Sequence, residues 1–397
     1  MTAGDTDPGL ILNPEYWGRN GFPHAAARWL RENDPIRWYE SELVDPFWLV
    51  TRHADVVEVS RNSQLWSSTE RIMIEARRSE PLPFRTMLHM DPPEHTKHRK
   101  IYKDWLTPRS VRRMEDRLHE ISRELVDEMA PAKEGNFVEL MAARHPLKLI
   151  CELLGVGSEA EEVVLGIAKQ AFGAQDPEFK DDGSIERAIE FNGGLIEARR
   201  AAPSEDLASA IANASIDGDA LNMLEAMSHI MVLVTAGHDT TASAISGGLL
   251  ALLRNPAELE KLKADPELIP TAVDEMVRYV TPTTNFCRVA TEDTELSGVP
   301  IKKGQDVCMN FASANRDADV FDAPDEFRVD RNPNPHVGFG TGTHACIGQT
   351  LAKVEMNALF AELVPRIKRI ELAGDPRWVD AIWISSLKDL PIRFELE

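Results

Sequence analysis

The segment FGTGTHACIG at residues 339–348 holds a pattern with clear chemical consequences. Gly340 and Gly342, one residue apart, permit a tight turn with positive φ, so backbone N–H groups can point at a neighbouring sulfur. Cys346 then sits at the start of a helical pattern that follows from Ile347, with Gly348 in its first turn. The positive end of a helix and nearby N–H donors favour thiolate over thiol. A thiolate in that setting can bind a metal or act as a nucleophile. No Cys or His stands at zinc spacing from it and no motif supplies a base, which favours the fifth ligand of a haem iron, a position where sulfur enriches the metal in electron density. The bland alternative is a glycine turn before a helix with a buried cysteine.

A second constellation interrupts a long apolar stretch at Ala236, Gly237, His238, Asp239, Thr240 and Thr241. Ala236 and Gly237 leave space beside the helix. A threonine hydroxyl inside a helix can bond back to a carbonyl one turn earlier, loosening the ladder there, and Thr240 is the candidate. Asp239 is costly in so apolar a helix unless it is partnered or its charge has a use. His238 reads as a pairing or surface residue. Glu275 and Arg278, three apart, share a helical face, a spacing common among surface ion pairs. Asp91, Pro92, Pro93 and Glu94 read as the capped start of a helix on which His95 and Arg99 share a face.

The elements that must position these groups are mostly helical. Periodicity predicts helices over 23–32, 111–129, 159–172 and 184–199, and a long one over 220–254, stopped by Asn255-Pro256 and about 50 Å in length. The last is apolar nearly all round at its centre and is expected to run through the core. Strands are expected at 36–39 and 47–51 as a hairpin, and at 294–301 and 306–311 joined across 302–305. The fold class is therefore mainly α with small β-sheets (α+β), without repeated βαβ units and without repeats or linkers, so residues 1–397 are expected to form one domain.

Composition narrows the functional classes. Lys+Arg number 44 against 65 Asp+Glu, a net charge of −21, which disfavours nucleic acid and anionic membrane as partners. No apolar run approaches the roughly 18 residues of a membrane span, and no signal-like start is seen, so a cytoplasmic location is expected. The four cysteines, Cys151, Cys287, Cys308 and Cys346, are too sparse and irregular for a disulfide framework or a zinc site. Against this acidity, Lys97, Arg99, Lys100, Lys103, Arg109, Arg112 and Arg113 crowd together with only Asp104 opposing them.

The cysteine segment resembles that of the cytochrome P-450 family of haem-thiolate monooxygenases, F-G-x-G-x-H-x-C-x-G, from Phe339 through Gly348 without a mismatch. Three further family signals occur in order, so the resemblance spans essentially the whole chain. It implies the family fold, with the long helix passing over haem b (iron protoporphyrin IX) bound through Cys346. Ala236 to Thr241 is similar to the oxygen-activating segment, which implies proton delivery by Asp239 and Thr240. Glu275 and Arg278 match the family's E-x-x-R signature, completed by Arg331, and are expected to lock the cysteine loop. His95, Arg99, Arg288 and His344 match positions that hold the two haem propionates, a task suited to arginine.

The same resemblance places substrate over the distal face, near a loop at 71–88 and lined by Ile72, Val232, Leu233, Thr283, Asn285, Phe286 and Trp383. These are mainly apolar, so a hydrophobic molecule with few polar anchors is expected. The stretch at 331–339 and the hairpin at 296–305 look like those of bacterial members that hydroxylate steroid side chains and methyl-branched lipids. Terpenoids, aromatic acids and fatty acids stay open, because fold does not fix substrate. Electrons are expected from a ferredoxin with its reductase, docking on the basic cluster, to reduce O2. The rivals are a haem-free enzyme with Cys346 as nucleophile, a non-catalytic helical binding module, and a haem enzyme of isomerisation or dehydration.

Overall fold

In the computed structural model, which describes residues 3–42, 44–74, 85–173, 176–179 and 183–397, one helix organises the rest. It runs from Met223–Arg254, about 48 Å at 1.5 Å per residue. Its start is set by a capping box rather than by the apolar run: the Asn222 side chain accepts from Glu225 N at 3.0 Å, and Glu225 Oε2 accepts from Asn222 N at 2.8 Å. The helix therefore begins three residues later than its apolarity suggests.

Two apolar clusters grip this helix at separate places. Ala226, Met227, Ile230, Val232 and Val234 pack with the helices Arg144–Leu154 and Leu207–Ala212. Ala244, Ile245 and Leu249 to Leu252 pack with Ile269–Val280 and Gln349–Leu363. Close approach to Ile269–Val280 needs glycine, since a Cβ on Gly247 or Gly248 would strike Val280 or Met276. Residues 235–243 lie between the clusters and belong to neither.

A five-stranded sheet flanks the helices in the order Ile36–Tyr39, Phe47–Val50, Asp306–Asn310, Asn285–Ala290, Trp66–Ser67. The first two form the expected antiparallel pair, with Ile36 opposite Val50. The expected strand over 294–301 is instead a hairpin, Thr294–Leu296 with Val299–Ile301. Ser297 (φ 46°) and Gly298 (φ 85°) make its two-residue turn, the positive-φ geometry that matches strand twist. Asp306–Asn310 consequently pairs not with that hairpin but with Asn285–Ala290 and, in parallel, Phe47–Val50.

Other boundaries also shift. The helix expected over 111–129 divides into Pro108–Arg112 and Glu115–Met129; Thr107 caps the first piece, and Pro108 fills its first turn. Helices occupy His24–Asn33, Glu161–Gly173 and Ser184–Ala201 much as expected. The capping box expected at Asp91 does not form. Asp91 instead accepts from Ser67 Oγ and Ser68 N at 2.6 and 2.9 Å, tying the sheet edge to the helix Glu94–Arg99, whose start carries no side-chain cap. Among the described residues, no helix is long and apolar enough to cross a membrane.

Candidate active site

Cys346 sits in a loop folded back on itself. Its backbone N donates to Phe339 O at 2.8 Å, and Gly340 N donates to Val337 O at 2.9 Å. Gly340 and Gly342 adopt φ of 65° and 70°, which L-residues with a Cβ rarely take. Gly342 is doubly constrained, because a Cβ there would run into the backbone of Ser60. The helix that follows is Gln349–Leu363, two residues beyond the expected start, so Gly348 lies at its cap.

The sulfur opens onto a cavity while protein surrounds it on its other sides. Burial pushes its pKa up, and this outweighs the downward pull of the Gly348 N–H, Arg99 and the Gln349 N–H. Each donor thus acts with the sign expected from the sequence. The remaining bias must come from a bound cation, which deprotonates a coordinating thiol outright.

Behind the loop, Glu275 forms a buried charged junction. Its carboxylate accepts from Arg278 Nε and Nη2 at 2.7 and 2.8 Å, from Arg331 Nε at 3.0 and 3.1 Å, and from Arg328 N at 3.0 Å. The guanidinium groups spend their other N–H donors on carbonyls: Arg278 on Asn315, Pro324 and Glu326, and Arg331 on Asp322, Ala323 and Glu326. Asn315 passes the restraint onward, its Oδ1 accepting from Val337 N at 2.7 Å, at the root of the cysteine loop.

The cavity, roughly 1640 Å³ of atom-free space including its mouth, lies between this loop and the central helix. Its lining contains Cys346, Phe339, Gly340, Gly348, Ala236, Gly237 and Thr240, with Val232, Leu233, Thr283 and Phe286 on the apolar side. Asn285, Ile72 and Trp383 are not in the lining. The Asn285 amide nitrogen donates to Thr284 Oγ1 and Ile382 O at 3.0 and 2.9 Å, while its Oδ1 is buried without a partner; Ile72 sits under the sheet edge, its carbonyl accepting from Cys287 N; Trp383 packs with Val379, Ala381 and Ile384. Residues 75–84 of the loop expected beside substrate lie outside the described residues. Sequence reasoning missed Leu149, Ile150 and Leu153, which line the cavity from Arg144–Leu154; their i, i+1, i+4 spacing was legible as a helix face, but not which side it turned to.

Thr240 Oγ1 donates to Ala236 O at 2.6 Å, the expected back-bond one turn earlier. The helix nevertheless runs unbroken through this point. Asp239 does not line the cavity; its carboxylate meets His238 Nδ1 at 2.6 Å, and His238 Nε2 lies 2.9 Å from Ala143 O.

At the cavity's other margin, His95, Arg99, Arg288 and His344 converge. The His95 and His344 rings lie 4.1 Å apart, and burial with neighbouring arginines holds them down to about 4 and about 3. Arg288 is lowered to about 10 by burial. Neither Arg99 nor Arg288 makes an ion pair among the described residues, and His95 Nδ1 is buried without a partner. Unpaired guanidinium groups at a buried site call for anions. Two arginines, an orphaned ring nitrogen and a sulfur opening on one slot fit a flat, metal-bearing dicarboxylate such as haem, held through Cys346 and these four side chains.

A family model described as Cytochrome P450 matches residues 185–370. The chain is 34% identical over 412 residues to Cytochrome P450-terp of Pseudomonas sp, covering 97% of this chain and 96% of that one. It is 37% identical to the Steroid C26-monooxygenase of Mycolicibacterium smegmatis, over 90% of this chain and 87% of the relative. A Mycobacterium marinum cytochrome P450 in complex with pseudoionone superposes with a TM-score of 0.90 at 34% identity, covering 96% and 97%. Kinship across nearly the full length agrees with a sulfur ligand, an anion-binding margin and a threonine-bearing helix meeting at one cavity: this chain belongs to the cytochrome P450 family and is a haem-thiolate monooxygenase.

Proposed function

We propose that the protein hydroxylates an unactivated C–H bond of a hydrophobic steroid, branched lipid or terpenoid, with haem b on Cys346 and electrons from a ferredoxin and its reductase. The observation that carries the substrate class is the apolar part of the cavity lining, Leu149, Ile150, Leu153, Val232, Leu233 and Phe286, with Thr240, Thr241 and Thr283 as polar groups among them. Such a lining orients a large apolar body by shape and offers it few hydrogen bonds. The names of the relatives, one of them P450-terp and one a steroid C26-monooxygenase, point to the same class.

Haem, when bound, would supply O2 activation, with one oxygen atom entering the C–H bond and the other leaving as water. The protein's own groups then have separate tasks. Arg99 and Arg288 would neutralise the carboxylates of the cofactor, and His95 and His344 would orient them through ring N–H donors. Thr240 presents a hydroxyl at the cavity wall, and Asp239, one residue earlier, carries the proton that must reach that side. Glu275, Arg278 and Arg331 hold the loop that aims Cys346. Leu149, Ile150 and Phe286 exclude water and hold the substrate.

Spectral titration of the holoenzyme with cholest-4-en-3-one, phytanic acid, α-terpineol and pseudoionone, and with benzoic acid as a small aromatic acid, tests the class. At least one of the first four should shift the Soret band to shorter wavelength with saturable binding; a response confined to small aromatic acids overturns the class. Electron supply is tested at the basic cluster. There Lys97 pairs with Asp217 and Arg99 lines the cavity, which leaves Lys100, Lys103, Arg109, Arg112 and Arg113 exposed. Charge reversal at Lys100, Lys103 and Arg112 should slow reduction by an acidic ferredoxin, as should rising salt, while substrate binding stays unchanged. Rates indifferent to both would move the docking site elsewhere.

A further inference from the structure

We propose that His238 is a positioning residue that shares one exchangeable proton with Asp239 and keeps that carboxyl turned from the cavity while the proton is shared. The proposal rests on reading Asp239 as the proton donor. His238 is 1% exposed, and both ring nitrogens are engaged: Nε2 at 2.9 Å from Ala143 O, Nδ1 at 2.6 Å from Asp239 Oδ1. A carbonyl oxygen only accepts, so Nε2 must carry a hydrogen. Nδ1 can then face a carboxyl group only if one of the two is protonated, as imidazolium against carboxylate or imidazole against carboxylic acid. In either form one proton lies on the line between Nδ1 and Oδ1.

The consequence is a contact whose sign depends on that proton. Loaded, it is a short charge-assisted or acid–base hydrogen bond. The carboxyl turns to the Thr240 side with the proton on an oxygen and leaves it on an oxygen acceptor there; if the bare carboxylate then comes back to the ring, it faces a nitrogen lone pair at the same distance, and attraction has become repulsion. The carboxylate is then driven off the ring, to be reprotonated from water, which its 15% exposed side chain can reach. Reprotonated, it returns. Neighbouring charges do not replace His238 in this role: Arg144 is paired with Glu128 at 2.6 Å, and His145 is spent on Ser122 Oγ and Glu355 Oε1 at 2.7 and 3.0 Å.

Two measurements test it. In the reduced, carbon monoxide-bound holoenzyme with ¹⁵N-labelled imidazoles, Nε2 of His238 should be protonated and Asp239→Asn should shift the Nδ1 resonance. A bare Nε2, or an Nδ1 indifferent to Asp239→Asn, overturns the proposal. The second uses His238→Gln, whose amide nitrogen replaces Nε2 and keeps the Ala143 bond while losing the Asp239 contact, alongside His238→Asn, whose amide replaces Nδ1 but carries no acid proton. With the tightest-binding member of the titration panel, product formed per NADH consumed should fall about three- to tenfold in both, the loss of one charge-assisted hydrogen bond. The spectral Kd should not move in either, the thermal midpoint should hold in His238→Gln, and His238→Gln/Asp239→Asn should couple no worse than Asp239→Asn alone. If Asp239→Asn itself leaves coupling intact, the donor reading falls; if it lowers coupling while His238→Gln does not, only the positioning role falls.

Discussion

On the Cys346 side of the cavity, a fully buried carboxylate accepts from two guanidinium groups and a backbone N–H, and nearly every remaining guanidinium donor ends on a carbonyl. On the side of the central helix, the Thr240 hydroxyl has one bond, to the helix backbone one turn earlier, and the Asp239 carboxylate has one hydrogen-bond partner. The first arrangement has many restraints on a few loop atoms, and it cannot shift without leaving a charge unpaired. The second has few restraints and can exchange a proton or turn a side chain at little cost. A ligand that must stay in place and a donor that must move ask for these opposite solutions.

The contrast can be broken from either side. Cys346→Ala should abolish the red-shifted Soret band of the reduced carbon monoxide complex altogether, and retention of that band would remove the basis of the comparison. Glu275→Ala should come next in severity: it strands Arg278 and Arg331 without their anion, at about 3 to 5 kcal/mol. That is a large part of the 5 to 15 kcal/mol typical of folded proteins. Haem content and urea midpoint should both collapse, whereas a stable, fully loaded variant would mean that the restraint lies elsewhere.

Thr240→Ala should leave fold, haem spectrum and substrate Kd intact, yet divert reductant from product to peroxide. An unchanged product-to-NADH ratio would make the distal side as inert as a packing surface. Gly237→Ala sharpens the comparison at its mildest. The added Cβ meets Ile150 Cδ1 at 3.4 Å, an ordinary contact, and removing a helix-interior glycine stabilises by about 0.5 to 1 kcal/mol. Its thermal midpoint should hold or rise while ligand affinity changes; a marked drop would show the distal segment to be as tightly packed as the proximal loop.

What was legible in the sequence follows the same division. The cysteine loop is contiguous, and Glu275 and Arg278 are one turn apart, so local pattern brought them together, while Arg331 needed the family likeness. The pairing of His238 with Asp239 was not legible, because successive helical residues ordinarily diverge by about 100°. Only the tether to Ala143, distant in sequence, turns the ring back. Asn285 looked like a substrate anchor because it is polar and stands near Phe286, but strand alternation sends it to the opposite face, where its amide nitrogen donates to Ile382 O. The hairpin at Ser297-Gly298 was overlooked although Ser-Gly is a turn dipeptide, since Val299 and Ile301 continued the apolar alternation. The fold class and the long helix were read correctly because apolar periodicity over tens of residues outweighs errors at single ends.

The central helix resembles a beam carried on two piers. One pier holds residues 226–234 and the other residues 244–252, and the span between them, 235–243, rests on neither cluster. Load-bearing and chemistry are thus divided along one element, so changes of side chain in the span reshape the cavity without undermining either pier. A lineage carrying this helix could wander through many substrate shapes by altering Ala236, Gly237 or Thr241 alone, each step starting from an unimpaired fold.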